Sequence, residues 1–140
     1  MSGWLLDTNV LSELRRPRPN RKVVEFVSGE PLDSLFVTSV TFAEIRYGIK
    51  KLVEPTRRSE LDLWLEHKLR PMFDGRVLEL SEDVLVKWRL IIEDGRRRGR
   101  TFSHPDVLIA ASAAHHDLTV VTRNGGEFVA AGVSVFDPWV

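Results

Sequence analysis

The chain has 140 residues, of which 43% are hydrophobic and 29% charged, a balance that predicts a single globular domain over residues 1–140. The absence of cysteine excludes disulfides and thiolate metal sites. Positive and negative residues number 20 each, so net charge neither favours nor disfavours a nucleic-acid partner. The sequence shows no bilayer-spanning stretch and no secretory signal, so we expect a cytoplasmic protein without a membrane partner.

Short apolar runs alternate with amphipathic stretches along the whole chain. Buried strands are predicted at residues 3–6, 35–37, 77–80, 119–121 and 133–136. Helices are predicted between them, at residues 10–14, 23–29, 84–98 and 128–131, and from residues 41, 55 and 103 onward. Strands separated by helices pair in parallel through right-handed crossovers. We therefore predict an α/β three-layer sandwich with a central, mainly parallel five-stranded sheet flanked by helices.

Four acidic residues lie in or beside the first turn of a predicted helix: Asp7, Glu44, Asp106 and Glu127. Asp7 and Glu44 come after the first two strands, and Glu127 comes after the fourth. Because loops that leave parallel strands share one edge of the sheet, these side chains should gather in one cleft. Carboxylates packed together repel one another unless a cation joins them, and magnesium prefers oxygen ligands. The pattern therefore predicts a divalent-metal site.

Each acid also has a purely structural explanation. Residues 41–44 fit a capping box, and residues 103–106 come close to one. Residues 124–127 could form another, with asparagine as the cap, and Asp7 could simply cap its own helix. Capping and metal binding are compatible, and four acids at the same sheet edge favour the metal site over four unrelated caps.

Three motifs carry a resemblance to a known family: LLDTNVLSE near the start, TSVTFAEIRYGI in the middle and PDVLIAASAAHHDLTVVTRN near the end. In this order and spacing the chain resembles a PIN-domain ribonuclease of the VapC and FitB type. The segments RPRPN and VSVFDPW are similar to the FitB-like branch in particular. The resemblance covers essentially the whole chain, so residues 1–140 would form one PIN domain.

The resemblance implies that Asp7, Glu44 and Asp106 are the catalytic, metal-binding acids. The family commonly has a fourth acid at the position of Asn124 or of Glu127. Asn124 is neutral, so the fourth ligand is left open between these two residues. The resemblance also implies small hydroxyl side chains that line the site: Thr8, Ser39 and Thr122.

By the same resemblance the cofactor would be magnesium or manganese, and the reaction would be endonucleolytic hydrolysis of RNA. The protein would be the toxin of a type II toxin–antitoxin system, partnered by a small DNA-binding antitoxin. The resemblance also implies a homodimer. Apolar side chains on short helices, Trp64 with Leu61 and Leu65 among them, point to association as well.

Other readings of the acids are a metal-dependent phosphatase, a receiver-like module and a non-catalytic binding module with the PIN fold. A phosphatase of the haloacid dehalogenase type would need a second Asp two residues after Asp7, where this chain has Asn9. A receiver-like module would normally have a Lys after its last strand, and residues 137–140 contain none. The non-catalytic module stays open because the fourth acid position is uncertain.

Several other charged and aromatic residues have two interpretations. The arginines at residues 96–98 and Arg100 could contact the RNA backbone, or could simply favour the carboxyl end of a helix that stops at Gly99. His115 and His116 should point in different directions, which makes them a poor metal pair. The tryptophans lie in apolar segments and are expected in the core or an interface: Trp4, Trp64, Trp88 and Trp139.

Overall fold

The computed structural model describes residues 3–140, in which five strands form one parallel sheet. The strands lie in the order β3-β2-β1-β4-β5: β1 (Trp4–Leu6), β2 (Leu35–Thr38), β3 (Val77–Leu78), β4 (Thr119–Val121) and β5 (Val135–Phe136). This confirms the predicted sheet. The two strands at the sheet edges, β3 and β5, are two residues long instead of the predicted four. Each pairs with only one neighbour, so fewer hydrogen bonds hold its ends.

Eight helices surround the sheet in residues 3–140: α1 (Thr8–Leu14), α2 (Arg21–Gly29), α3 (Ser39–Lys50), α4 (Pro55–Trp64), α5 (Arg70–Met72), α6 (Glu82–Arg97), α7 (His104–His116) and α8 (Gly126–Ala130). A 3₁₀ turn at Leu32–Ser34 precedes β2, and a π turn at Leu65–Leu69 joins α4 to α5. Neither turn was predicted. In this part of the chain, no helix has the length and apolar character needed to cross a membrane.

The π turn keeps three leucines on one buried face. Leu61, Leu65 and Leu69 are spaced four residues apart and are all buried in the core. In a regular helix a four-residue spacing overshoots one turn, so the leucines would drift around the axis. The wider π turn reduces that drift. Leu61 and Leu65 therefore do not supply the surface that we expected for association, and the homodimer remains a prediction.

The strands bury side chains on both faces of the sheet. Leu6 and Val121 face one hydrophobic core, whereas their neighbours Leu5 and Val120 face the other. This alternation follows from the two-residue period of a strand. The first core is completed by residues from α1, α2, α3 and α4, and the second by residues from α7 and α8. The result is the predicted three-layer arrangement.

The start of α3 differs from the prediction. Thr38, the last residue of β2, has extended backbone angles, and its hydroxyl accepts a hydrogen bond from the Thr41 amide at 3.2 Å. The helix therefore begins at Ser39, two residues before the predicted start, and Thr38 is its cap. The predicted capping box at residues 41–44 is wrong. Because Thr41 lies inside the first turn, Glu44 is not needed as a helix cap.

Helices α6 and α7 are connected by a tight segment at the end of α6. Gly95 is buried there, and a Cβ at this position would lie 2.5 Å from the Phe102 ring and 3.2 Å from the Arg100 carbonyl oxygen. The Arg100 oxygen belongs to the backbone and the Phe102 ring is rigid, so this position favours glycine for steric reasons.

We expect Gly95→Ala to lower the free energy of unfolding by about 1–3 kcal/mol, because the added methyl group overpacks the junction. Gly48 in α3 is the matched control, since a Cβ there meets nothing within 4 Å. Gly48→Ala should raise stability by about 0.5–1 kcal/mol through helix propensity. Urea denaturation of both variants measures the difference, and equal effects would show that the Gly95 contact is unimportant.

Candidate active site

The carboxyl ends of the central strand β1 and its neighbour β4 bring Asp7 and Thr122 together. Leu6 pairs with Val121, and the Asp7 amide donates to the Val121 carbonyl oxygen at 3.0 Å. Asp7 and Thr122 are the next residues on the two strands, so they lie side by side at the sheet edge where ligands bind in such folds. Both residues are buried.

Asp7 uses both of its carboxylate oxygens. Oδ1 accepts a hydrogen bond from the Thr8 amide at 2.8 Å, which caps α1. Oδ2 accepts a hydrogen bond from the Thr122 hydroxyl at 2.8 Å. Each oxygen has a second lone pair, so these bonds orient the carboxylate without blocking it as a ligand.

Thr122 joins three segments of the chain. While its hydroxyl donates to Asp7, its oxygen accepts from the Asn9 side-chain amide and from the Asn124 backbone amide, both at 3.1 Å. The Asn9 side-chain oxygen in turn accepts from the Arg123 amide at 3.4 Å. Asn124 thus enters the network through its backbone amide, and the residue itself is exposed to solvent. Sequence reasoning used Asn9 only to exclude a phosphatase; its spacing of two residues from Asp7 was the available signal.

Glu44 is connected to this group through Thr8. The Thr8 hydroxyl donates to Glu44 Oε1 at 2.7 Å, which links the first turn of α1 to the first half of α3. Glu44 is half-buried, and its second carboxylate oxygen is not part of this bond. Among the predicted hydroxyl residues, the structure therefore brings Thr8 and Thr122 to the acids. Ser39 instead lines a separate cavity of about 180 Å³ with Arg46 and Arg70.

Glu127 caps α7 and not its own helix. Its Oε1 accepts a hydrogen bond from the Ser103 backbone amide at 2.6 Å. The cap of α8 is Gly125, which contributes no side-chain bond, so the predicted capping box at residues 124–127 is wrong. The amides at the start of α7 need acceptors, and Glu127 supplies one from a neighbouring helix. Asp106, the third residue of α7, is therefore not needed as the hydrogen-bond acceptor for the Ser103 amide.

Burial and neighbouring charges raise the pKa of the two aspartates. For Asp7 burial is the largest cause and the charge of Glu44 adds to it, although hydrogen bonds from Thr122 and the Thr8 amide oppose the shift. For Asp106 burial is again the largest cause, followed by the charge of Asp7. The two aspartates therefore lie close enough to repel each other when both are ionised.

The charge of Glu127 also raises the pKa of Asp106, and the Ser103 hydroxyl opposes it. The four acids are thus coupled in a chain that runs Glu44, Asp7, Asp106, Glu127. Hard oxygen donors in this number suit a divalent cation such as magnesium, which would relieve the repulsion. Within residues 3–140, no group of three acidic or histidine side chains lies close enough together to hold a metal ion. Each outer acid has a hydrogen-bond partner of its own: the Thr8 hydroxyl donates to Glu44, and the Ser103 amide donates to Glu127.

Two of the candidate arginines form ion pairs within the protein, and the contact of this arginine group with RNA remains a prediction. Arg96 pairs with Glu93 at 3.0 Å, while Arg98 pairs with Asp94 at 2.9 Å and donates to the Ala130 carbonyl oxygen. The rings of the histidines at residues 115 and 116 are in edge-to-face contact with centroids 4.8 Å apart, so the expectation that they point apart is wrong. Three tryptophans pack against the first core: Trp4, Trp64 and Trp139. The ring centroid of Trp88 lies 5.8 Å from that of His104.

Comparison with known proteins supports the resemblance seen in the motifs. The sequence matches the PIN domain family over residues 4–132. It is 39% identical over 135 residues to Toxin FitB of Neisseria gonorrhoeae, covering 96% of this chain and 97% of that protein. It is 32% identical over 135 residues to VapC ribonuclease Y4jK of Sinorhizobium fredii, covering 96% of each.

Two solved structures share the fold. The crystal structure of FitAcB from Neisseria gonorrhoeae superposes with a TM-score of 0.92 at 39% identity, covering 97% of this chain and 98% of that one. The structure of FitAB bound to an IR36 DNA fragment gives a TM-score of 0.91 at 37% identity, covering 98% and 96%. The predicted fold and family resemblance are therefore confirmed.

The raised pKa of Asp106 predicts that ionising this residue destabilises the metal-free protein. The pKa of Asp106 in the folded state is higher than its ordinary value of 3.8, so the folded state binds this proton more tightly than the unfolded state does. The resulting stabilisation is fully present at low pH and is lost as pH rises through the folded pKa. Asp106→Asn should therefore raise the melting temperature in EDTA at pH 7.5 by about 1–3 °C, and the gain should shrink as pH falls toward about 4.

Asp83 provides the control, since it lies in the first turn of α6 and outside the acid cluster. Asp83→Asn should leave the melting temperature unchanged or lower it slightly, because an acid at a helix start is normally favourable. A stabilisation of the Asp106 variant that persists unchanged at low pH would rule out charge repulsion as its cause.

Proposed function

The chain belongs to the PIN-domain family, and on that premise we propose that it is a divalent-metal-dependent endoribonuclease that acts as the toxin of a type II toxin–antitoxin pair. The observation that carries the proposal is the buried carboxylate of Asp7, which is hydrogen-bonded on both oxygens and electrostatically coupled to Glu44 and Asp106. Burying charges that repel one another is costly without a bound cation, which favours a functional reason for their position.

We assign Asp7, Glu44 and Asp106 to binding magnesium or manganese, with Glu127 as the fourth acid. When bound, such an ion lowers the pKa of an attacking water and neutralises phosphate oxygens. Thr122 and the Thr8 amide hold the Asp7 carboxylate in one orientation, and the Thr8 hydroxyl does the same for Glu44. A carboxylate of this group that is not fully committed to the metal, such as the half-buried Asp106, would accept the proton of the water.

The toxin role is inferred from relatives whose names state it, Toxin FitB and a VapC ribonuclease. The cognate antitoxin would be a small DNA-binding protein, in line with the solved FitAB assembly on a DNA fragment. An RNA substrate would put the activity in the cytoplasm. We also propose that the protein forms a homodimer.

The proposal is tested by following cleavage of single-stranded RNA by the purified protein with magnesium, manganese or EDTA. Asp7→Ala, Glu44→Gln and Asp106→Asn should each lower the metal-dependent rate by about 100-fold or more, which is roughly 2.7 kcal/mol of transition-state stabilisation. The control is Asp117→Asn at the end of α7, where asparagine tolerates the left-handed backbone at φ 56°. That variant should cleave at the parental rate, and the parental protein should arrest bacterial growth when expressed without an antitoxin.

Two outcomes would contradict this function. Metal-dependent hydrolysis of p-nitrophenyl phosphate in place of RNA would indicate a phosphatase. A protein that binds RNA and the metal but cleaves neither substrate would indicate a non-catalytic module with the PIN fold.

The role of Glu127 requires a separate experiment because this side chain is both a helix cap and a candidate ligand. Glutamine keeps an acceptor oxygen for the Ser103 amide and removes only the charge. Glu127→Gln should therefore slow metal-dependent cleavage by at least about tenfold, roughly 1.4 kcal/mol, with an almost unchanged melting temperature. Asn124→Asp in the same background should partly restore the rate by returning a charge. Cleavage by Glu127→Gln at the parental rate would limit the residue to capping.

A further inference from the structure

A second cavity adjoins the acid cluster on the side of α1, α3 and α4. It has a volume of about 320 Å³ and begins at the hydrogen-bonded pair of Thr8 and Glu44. It is also lined by Ser12 and by two arginines, Arg15 and Arg57. Thr8 begins α1 and Arg15 follows its last residue, so a carboxylate lies near the start of this helix and a guanidinium group near its end.

The two arginines come from different helices and approach the same space. Arg15 ends α1, and Arg57 is the third residue of α4. The pKa of Arg15 is lowered by burial and then by the charge of Arg57, so each guanidinium is close enough to affect the other. Arg15 forms no ion pair within residues 3–140, and Arg57 has only a loose one to Glu60 at 3.8 Å. Both residues are exposed, so water and salt screen their repulsion, and the two guanidinium groups that line this cavity are accessible to an anion.

One wall of the cavity is open because it contains a glycine. Gly48 of α3 lines the cavity, and a Cβ at this position would meet nothing within 4 Å. Apolar side chains, Ile45, Ile49 and Leu52, form the rest of this side. The cavity therefore offers two cationic groups for a phosphate and an apolar wall for a sugar or base.

We propose that Arg15 and Arg57 together bind one backbone phosphate of single-stranded RNA, next to the phosphate that the acid cluster would cleave. This inference rests on the proposed ribonuclease activity and names a binding subsite for its substrate. RNA is favoured because the cavity shares Thr8 and Glu44 with the acid cluster, and its two guanidinium groups complement the charge of a phosphate. A paired guanidinium site of this kind suits phosphate geometry. An acidic segment of a protein partner is the competing occupant.

The experiment measures binding in EDTA, so that it does not depend on cleavage. The probe is a fluorescein-labelled single-stranded RNA of about 12 nucleotides, titrated by anisotropy over a range of KCl concentrations. Arg15→Gln/Arg57→Gln should weaken binding by about tenfold at low salt and reduce the salt slope by about 0.7, the value for one phosphate on a single strand. Gly48→Leu, which narrows the cavity and leaves both guanidinium charges in place, should weaken binding to a similar extent.

Two matched controls accompany these variants. Arg21→Gln removes an exposed arginine of α2 that pairs with Glu25 at 3.5 Å, and Gly29→Leu enlarges another helical glycine with open space around its Cβ. Both should bind RNA like the parental protein. The folding of every variant is verified from its melting temperature.

Three results would overturn the inference. Parental RNA affinity in the double arginine variant would remove the arginines from RNA binding. If the double arginine variant loses RNA affinity but Gly48→Leu does not, the arginines act through their general charge and the cavity is not a binding subsite. Selective loss of binding to a fluorescein-labelled oligoglutamate peptide would assign the cavity to an acidic protein segment. If RNA binding depends on the cavity as expected but no variant or metal condition yields cleavage, the nuclease proposal fails while the RNA subsite stands.

Discussion

The hydrogen bond from Thr122 to Asp7 is the interaction on which the site depends most. Asp7 is 5% exposed, and a carboxylate in such a place is tolerated only when its oxygens have partners. One partner is the Thr8 amide and the other is Thr122, which follows the neighbouring strand. The pairing of β1 with β4 therefore fixes the position of the acid, and the acid fixes where α1 begins.

The outer acids are held by bonds between different elements. Thr8 of α1 holds Glu44 of α3, and Glu127 of α8 caps α7 through Ser103. Each bond positions a carboxylate and at the same time pairs it with a polar group of another element. Fold and site therefore share the same hydrogen bonds. Burial raises the pKa of Asp7 and Asp106 most, and repulsion between the acids adds to it; this is the cost of the arrangement, and a cation would relieve the repulsion.

The sequence was sufficient to predict the sheet, its parallel pairing and the edge at which the acids collect, because these follow from periodicity and from the geometry of crossovers. Which residue caps which helix was harder to predict. Thr38 and Thr41 are equally good caps by residue type, and only the extended backbone at the end of β2 selects Thr38. The partner of Glu127 is 24 residues away, so a local pattern could not identify it. The π turn after α4 depends on the core that its leucines reach, which is also tertiary information.

The net charge of zero hides a local separation of charge. Acids collect around Asp7, whereas Arg15 and Arg57 line the cavity that starts at Glu44. A chain without excess positive charge cannot attract RNA by its overall field, so binding must come from charges placed within a Debye length of the strand. Placing the arginines in the cavity that starts at Glu44 meets that requirement, because one phosphodiester chain would then contact both the acids and the guanidinium groups. It also explains why composition alone was silent about a nucleic-acid partner: the relevant quantity is the position of two guanidinium groups relative to four carboxylates, and only the folded chain determines it.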